Sequence, residues 1–139
     1  MTLRVTCALI VDKDRVLCAQ RGPKMALPFQ WEFPGGKIEA GESGEDCIRR
    51  EIMEELNLEI ELLEQAPSAR HSLESDKMLE LIPFVCFVIG GNVQIREHAE
   101  VRWCTTIEMD GLRWAEADLA SLEWWHENAE RIQHTLENT

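Results

Sequence analysis

The stretch GKIEAGESGEDCIRREIMEELNL, Gly36 to Leu58, decides how this chain is read. It leaves the turn Pro34-Gly35-Gly36, crosses an acidic loop and enters a segment crowded with glutamates. Ser43 is a good N-cap, and Asp46 three residues later makes a capping-box-like pair with it. Glu45 and Asp46 fall in the first turn, where carboxylates suit the positive end of the helix dipole. Asn57 follows Leu56, and Asn is second only to Gly as the left-handed residue that ends a helix. These signals predict a helix over about residues 44–56.

On that helix Glu51, Glu54 and Glu55 are related by i,i+3 and i,i+4 and share a face. Ile48, Ile52 and Leu56 form a neighbouring apolar stripe suited to packing on a sheet. Like charges at this spacing repel by a few tenths of a kcal/mol per pair. A hard divalent cation with oxygen ligands would compensate. The plainer alternative is a solvated acidic face, with Glu45–Arg49 and Asp46–Arg50 as ordinary i,i+4 pairs.

Spacing separates the two. Gly36, five residues, Glu42, seven residues, then Arg50-Glu51-Ile52-Met53-Glu54-Glu55-Leu56-Asn57-Leu58 resembles the Nudix box of the Nudix hydrolases. One specified position departs: Asn57 stands where the family has Gly. Asn tolerates a left-handed backbone, and the position lies away from the carboxylate face.

Length and charge bound the rest. The 139 residues suit one domain, 1–139, with a real core. No run approaches the roughly 20 apolar residues of a membrane span. The start, MTLRVTCALIV, reads as a first strand and not as a signal peptide. A net charge of -12 disfavours sequence-independent binding to a nucleic-acid polymer. It does not exclude a small phosphorylated substrate bridged by a metal. The five cysteines are dispersed and odd in number, which predicts buried free thiols in a reducing, cytoplasmic setting.

Residues 3–11 are a near-continuous β-prone run, and 15–21 return as a second strand after the turn Asp12-Lys13-Asp14. Residues 22–30 form a loop, and Trp31-Glu32-Phe33 a short strand ending at Pro34. About 58–73 reads as one long bent strand, and Lys77 to Ile89 as another, with Pro83 marking an edge or bulge. Gly90-Gly91-Asn92 reads as a turn, followed by short strands at Val93–Ile95 and Val101–Thr105. A last helix is predicted from Glu116 to Leu136, with Leu119, Leu122, Trp125, Ala129, Ile132 and Leu136 as its core face. This order predicts an α/β layered fold. The resemblance implies the specific form, an α/β/α sandwich with a mixed sheet between the box helix and the C-terminal helix.

The flanks also resemble the MutT-like branch: Gln20-Arg21, Trp31 to Glu39, Glu97 to Trp103, and Leu112 to Leu119. The branch implies a nucleoside triphosphate substrate, ribose or deoxy, cleaved by water to a nucleoside monophosphate and pyrophosphate. It implies Mg2+ as cofactor, with Mn2+ as a substitute, and a monomer or homodimer. Carried over by position, Glu51, Glu54, Glu55, the Gly36 carbonyl and Glu97 are implied metal ligands. Glu54, Glu51, Glu97 and Arg50 form the implied catalytic set, with Arg50 orienting a neighbouring glutamate. Glu97 helps bind metal or takes the proton from water, with Glu100 as the fallback. Glu42 holds the loop or approaches a metal through water. Arg21 and Lys37 are candidates for phosphate contact.

Trp31, Glu32 and Asp118 resemble the base pocket of the branch. Ionised Asp only accepts hydrogen bonds, whereas protonated Asp also donates. The amino group and ring nitrogen of cytosine suit the protonated form, and the N1–H and N2 group of guanine the ionised one. The resemblance therefore leaves two substrate classes, 8-oxo-dGTP and cytosine nucleotides (CTP, dCTP, 5-methyl-dCTP). A role in clearing oxidised or modified nucleotides follows from either. Alternatives are another nucleoside diphosphate derivative as substrate, or a non-catalytic nucleotide sensor. His71, His98, His126 and His134 lack metal-ligand spacing and read as surface residues.

Overall fold

A computed structural model describes residues 1–138. The elements run β1 (Thr2–Asp12), β2 (Arg15–Gln20), β3 (Trp31–Glu32), β4 (Gly35–Lys37), α1 (Gly44–Leu56), β5 (Leu58–Gln65) and β6 (Ala69–Ser72). There follow β7 (Met78–Gly91), β8 (Glu100–Cys104), α2 (Thr106–Asp110), a 3-10 turn (Glu116–Asp118) and α3 (Leu119–Glu137).

The organising strand is β1. It pairs in parallel with β7 from Thr2–Met78 to Ile10–Cys86. Its other edge is shared antiparallel by β4 at Val5–Cys7 and β2 at Val11–Asp12. Strand β2 carries β3 and β8, while β7 carries β5 and β6. The sheet is therefore mixed.

Alternation along β1 divides the core into two layers. Cys7, Leu9 and Val11 point to the side of α3 and meet Leu122, Trp125, Ala129 and Ile132. Ala8 and Ile10 point to the side of α1 and meet Ile48, Ile52 and Leu56. A strand buried on both faces shows no alternation in sequence, which is why residues 3–11 read as a continuous apolar run. The result is the α/β/α sandwich, with α1 and α3 on opposite faces of the sheet.

Helix α1 has the predicted caps. Ser43 accepts from the Asp46 N–H, and Asn57 is left-handed at φ 59°, its N–H donating to the Met53 carbonyl.

Several elements differ from expectation. The long bent strand is two, β5 and β6, both antiparallel to β7. Pro83 lies in the central strand β7 and not at an edge. It falls where β5 gives way to β6, between the pairs Gln65–Phe84 and Ala69–Leu81, so its missing N–H breaks no continuous ladder. Strand β7 runs through Gly90 to Gly91, so the expected turn is absent, and 93–95 carries no strand. Strand β4 and helix α2 are additional. The last helix begins as a 3-10 turn, and Leu119 is exposed while Leu122 to Ile132 carry its core face. The five cysteines are free and buried. No described helix is long and apolar enough to cross a membrane.

Candidate active site

Three structural features converge near the sheet: strand β4, the acidic face of α1 and the loop between β7 and β8. Gly36, in β4, faces Glu51 of α1 so closely that a Cβ there would lie 2.3 Å from the Glu51 carboxyl carbon. Only glycine lets the strand backbone approach that carboxylate. The Gly36 carbonyl accepts from the buried Thr6 hydroxyl at 3.2 Å and from the Cys47 thiol at 3.6 Å.

Arg50 organises the carboxylates. Its Nε donates to Glu42 at 2.7 Å and its Nη2 to the other Glu42 oxygen at 2.9 Å, a bidentate pair. Its Nη1 donates to Glu51 at 2.9 Å and Glu54 at 3.2 Å. The alternative pairing with Asp46 does not form; Asp46 meets Arg49 instead, at 3.7 Å. The Arg50 hydrogen bonds hold Glu42 well below the usual carboxylate range.

The remaining acids are driven the other way. Burial is the main reason Glu51 is raised; Arg50 opposes the shift, and the charges of Glu54 and Glu97 add to it. Glu55 is buried, and desolvation followed by the charges of Glu51, Glu97 and Glu32 pushes it to about 9. Its Oε2 is buried without a partner. The charge of the exposed Glu97, on the β7–β8 loop, thus reaches Glu51 and Glu55. Among the described residues no three acidic, His or Cys groups close into a finished cage; Arg50 bridges Glu51 and Glu54 instead. An orphaned buried oxygen among mutually repelling carboxylates, beside a backbone carbonyl, nonetheless fits a hard divalent cation in its donor set.

From Gly36 and Glu55 a cavity of about 720 Å³ runs along the sheet to Asp118. The zipper between β3 and the segment before α3 builds its far end. Trp31 N–H donates to the Arg113 carbonyl and Ala115 N–H to the Trp31 carbonyl, each at 2.8 Å. This register brings the buried Asp118 Oδ2 to the Phe33 N–H at 2.8 Å. Asp118 therefore spends an oxygen on β3–β4 and makes no side-chain cap to its own helix. Desolvation raises it to about 8; the Phe33 bond opposes this and the Glu32 charge assists. Phe33 and Trp114 supply an aromatic wall, ring centroids 4.8 Å apart and planes tilted by 40°.

Glu32 and Arg21 line this cavity and pair with each other. Trp31 does not line it: the ring is buried, with the Arg102 guanidinium 4.8 Å over its face. Lys37 is exposed and outside the lining; its carbonyl accepts from Arg50. Glu100 pairs with Arg102.

One histidine is not the surface residue its spacing predicts. His98 is buried, and its Nε2 lies 2.9 Å from Glu32 Oε2. His71 borders the cavity. Sequence reasoning also passed over Phe33 and Trp114 as cavity walls. The available signal was an aromatic residue on each side of the zipper that delivers Asp118.

The chain belongs to the Nudix family: the NUDIX domain model matches residues 1–132. It is 31% identical over 121 residues to the CTP pyrophosphohydrolase of Escherichia coli K12, covering 87% of this chain and 89% of that one. It is 39% identical over 59 residues to an 8-oxo-dGTP diphosphatase of Proteus vulgaris, covering 42% and 53%. The structure of a MutT Nudix hydrolase from methicillin-resistant Staphylococcus aureus 252 superposes with a TM-score of 0.72 at 32% identity, covering 88% of this chain and 94% of that one. The protein is a hydrolase acting on acid anhydrides, a nucleotide pyrophosphohydrolase of MutT type.

Proposed function

We propose that this enzyme cleaves a nucleoside triphosphate, ribose or deoxy, to the monophosphate and pyrophosphate in the presence of Mg2+, and that it takes cytosine nucleotides. The observation that carries the reading is the single cavity joining the Glu55–Gly36 end to Asp118. It brings Glu55, the buried member of the acidic face, and a buried polar group for the base into one space.

Glu51, Glu54, Glu55, Glu97 and the Gly36 carbonyl would hold the metal. When bound, Mg2+ supplies charge neutralisation and a more acidic water. Arg50 keeps the Glu51 and Glu54 carboxylates oriented by direct hydrogen bonds. Glu54 is the most exposed acid of that face, its side chain 58% exposed against 15% for Glu51. It is the proposed acceptor of the proton from the attacking water. Arg21, at the cavity wall, balances phosphate charge together with its tie to Glu32. Lys37, outside the lining, serves at most the outer end of the chain.

At neutral pH the buried Asp118 carboxyl keeps its proton, since burial raises it to about 8. A neutral carboxyl both donates and accepts, which matches the ring nitrogen and amino group of cytosine. The N1–H and N2 group of guanine would require the ionised form. The kinship to a CTP pyrophosphohydrolase agrees with this.

A hydrolysis panel at pH 7 with Mg2+ tests the reading: CTP, dCTP, 5-methyl-dCTP, 8-oxo-dGTP and a nucleotide sugar, with products resolved by ion exchange. Cytosine nucleotides should go fastest, releasing pyrophosphate. Preference for 8-oxo-dGTP would overturn the base assignment, and sugar phosphate as the favoured product would overturn the reaction.

A further inference from the structure

Residues 92–99 join β7 to β8 without regular structure, and every one of them is exposed except His98. The segment carries Glu97, so whatever fixes it fixes that carboxylate. Two separate fastenings do so.

The first is to the C-terminal end of α1. Gln94 N–H donates to the Leu56 carbonyl at 2.9 Å and Arg96 N–H to the Glu55 carbonyl at 3.3 Å. The Arg96 guanidinium adds bonds to the carbonyls of Met53 at 3.1 Å and Glu54 at 3.2 Å. The last carbonyls of a helix lack partners within it, so a cation there is favoured. The loop is thereby tied to the same turn that presents Glu54 and Glu55.

The second fastening is to the cavity wall. His98 places Nε2 2.9 Å from Glu32 Oε2, and Glu32 is held in turn by Arg21. A carboxylate accepts, so Nε2 donates. Ala99 N–H donates to the Gln20 carbonyl at 2.9 Å. The Glu97 carbonyl itself rests against Gly22, where a Cβ would meet it at 2.9 Å. Mere packing does not account for the imidazole. Its Nδ1 is buried without a partner, a cost that an apolar side chain would avoid. What an apolar side chain cannot supply is the donor to Glu32.

We infer that His98 is a positioning residue: with Arg96 as the opposing anchor, its bond to Glu32 sets the place of the Glu97 carboxylate over the acidic face of α1. This rests on the proposed role of Glu97. It extends that role by linking the substrate wall, through Glu32, to the loop that completes the carboxylate cluster.

The test compares wild type with His98→Asn, His98→Gln, Glu97→Gln and the double variant Glu97→Gln/His98→Asn. Turnover of CTP is measured with Mg2+, and binding of Mn2+ by electron paramagnetic resonance. The Gln amide nitrogen reaches the place of Nε2, whereas that of Asn stops near Nδ1. His98→Asn should lower kcat and weaken Mn2+ binding by about 10- to 100-fold, with KM little changed. His98→Gln should recover most of both. Added to Glu97→Gln, His98→Asn should have no further effect on kcat. If His98→Asn does not fold, Arg96→Ala, on an exposed loop position, should reproduce the loss of kcat and Mn2+ affinity. Wild-type turnover in His98→Asn, equal damage from His98→Gln, or full additivity with Glu97→Gln would overturn the positioning role alone. Wild-type turnover in Glu97→Gln would overturn the role of Glu97 itself, and the inference with it.

Discussion

A Cβ on Gly36 would stand 2.5 Å from both carboxylate oxygens of Glu51, so these two residues fit together only because position 36 has no side chain. Gly36→Ala must therefore displace the Glu51 carboxylate or the β4 backbone. Misplacement of a reacting group by about 1 Å costs about 100-fold in rate. The expected outcome is a drop in kcat of that order with the fold retained, checked by steady-state kinetics beside circular dichroism. Full activity would show that Glu51 need not face Gly36.

Glu55 and Asp118 make the metal-free enzyme sensitive to alkali. In the folded chain they sit at about 9 and about 8, raised from ordinary values of 4.5 and 3.8. Between those limits the unfolded chain has lost protons that the folded chain keeps. Stability is thus complete in acid below the unfolded values and declines as pH rises towards the folded ones, by about 1.4 kcal/mol per pH unit for each group. Urea unfolding in EDTA from pH 5 to 8 should show this decline, and Glu55→Gln should flatten it. Parallel slopes for the two proteins would contradict the assignment to Glu55.

Divalent metal should reverse the same effect. Its ligands must be ionised, so binding releases protons and stabilises the folded state alone. Added Mg2+ should raise the melting temperature more at pH 8 than at pH 6, and EDTA should remove the gain. An equal gain at both pH values would place the metal away from Glu51 and Glu55.

Asp118→Asn tests the base pocket. The amide oxygen can still accept from the Phe33 N–H, so the fold should persist. The proton that the carboxyl gains or loses near pH 8 is gone. The amide, like the neutral carboxyl, both donates and accepts, so the variant should keep the preference for cytosine nucleotides at pH 7 and show a KM for CTP that no longer rises through that pH. A KM for CTP that still rises near pH 8 in the variant would remove Asp118 from recognition.

Asn57 tests the departure from the family box. Its φ of 59° is left-handed, and its amide donates to the Asn92 carbonyl at 3.2 Å. Asn57→Ala should destabilise by about 1 to 2 kcal/mol in urea unfolding, and Asn57→Gly by less. Equal losses would mean that the backbone conformation is not what the position selects.

What could be read from the sequence was local. The caps of α1 and the shared face of Glu51, Glu54 and Glu55 follow from helical geometry within one turn or two. The spacing from Gly36 to Leu58 carried the family and, through it, the sandwich. The misread parts depend on distant pairing. Pro83 signals an edge by its own chemistry, yet the gap between β5 and β6 lets it sit centrally. His98 reads as a loop residue until the β7–β8 connection folds back on Glu32, which lies 66 residues away. Phe33 and Trp114 meet only through the zipper between β3 and residues 113–115, which no local pattern announces.

The most direct test of the account is the turnover of Glu54→Gln. The substitution keeps the shape of the side chain and removes its charge from the exposed edge of the acidic face. With Mg2+ and CTP, kcat should fall by about 100-fold or more while the melting curve stays that of the wild type. A rate near that of the wild type would contradict the assignment of this face of α1 as the catalytic centre.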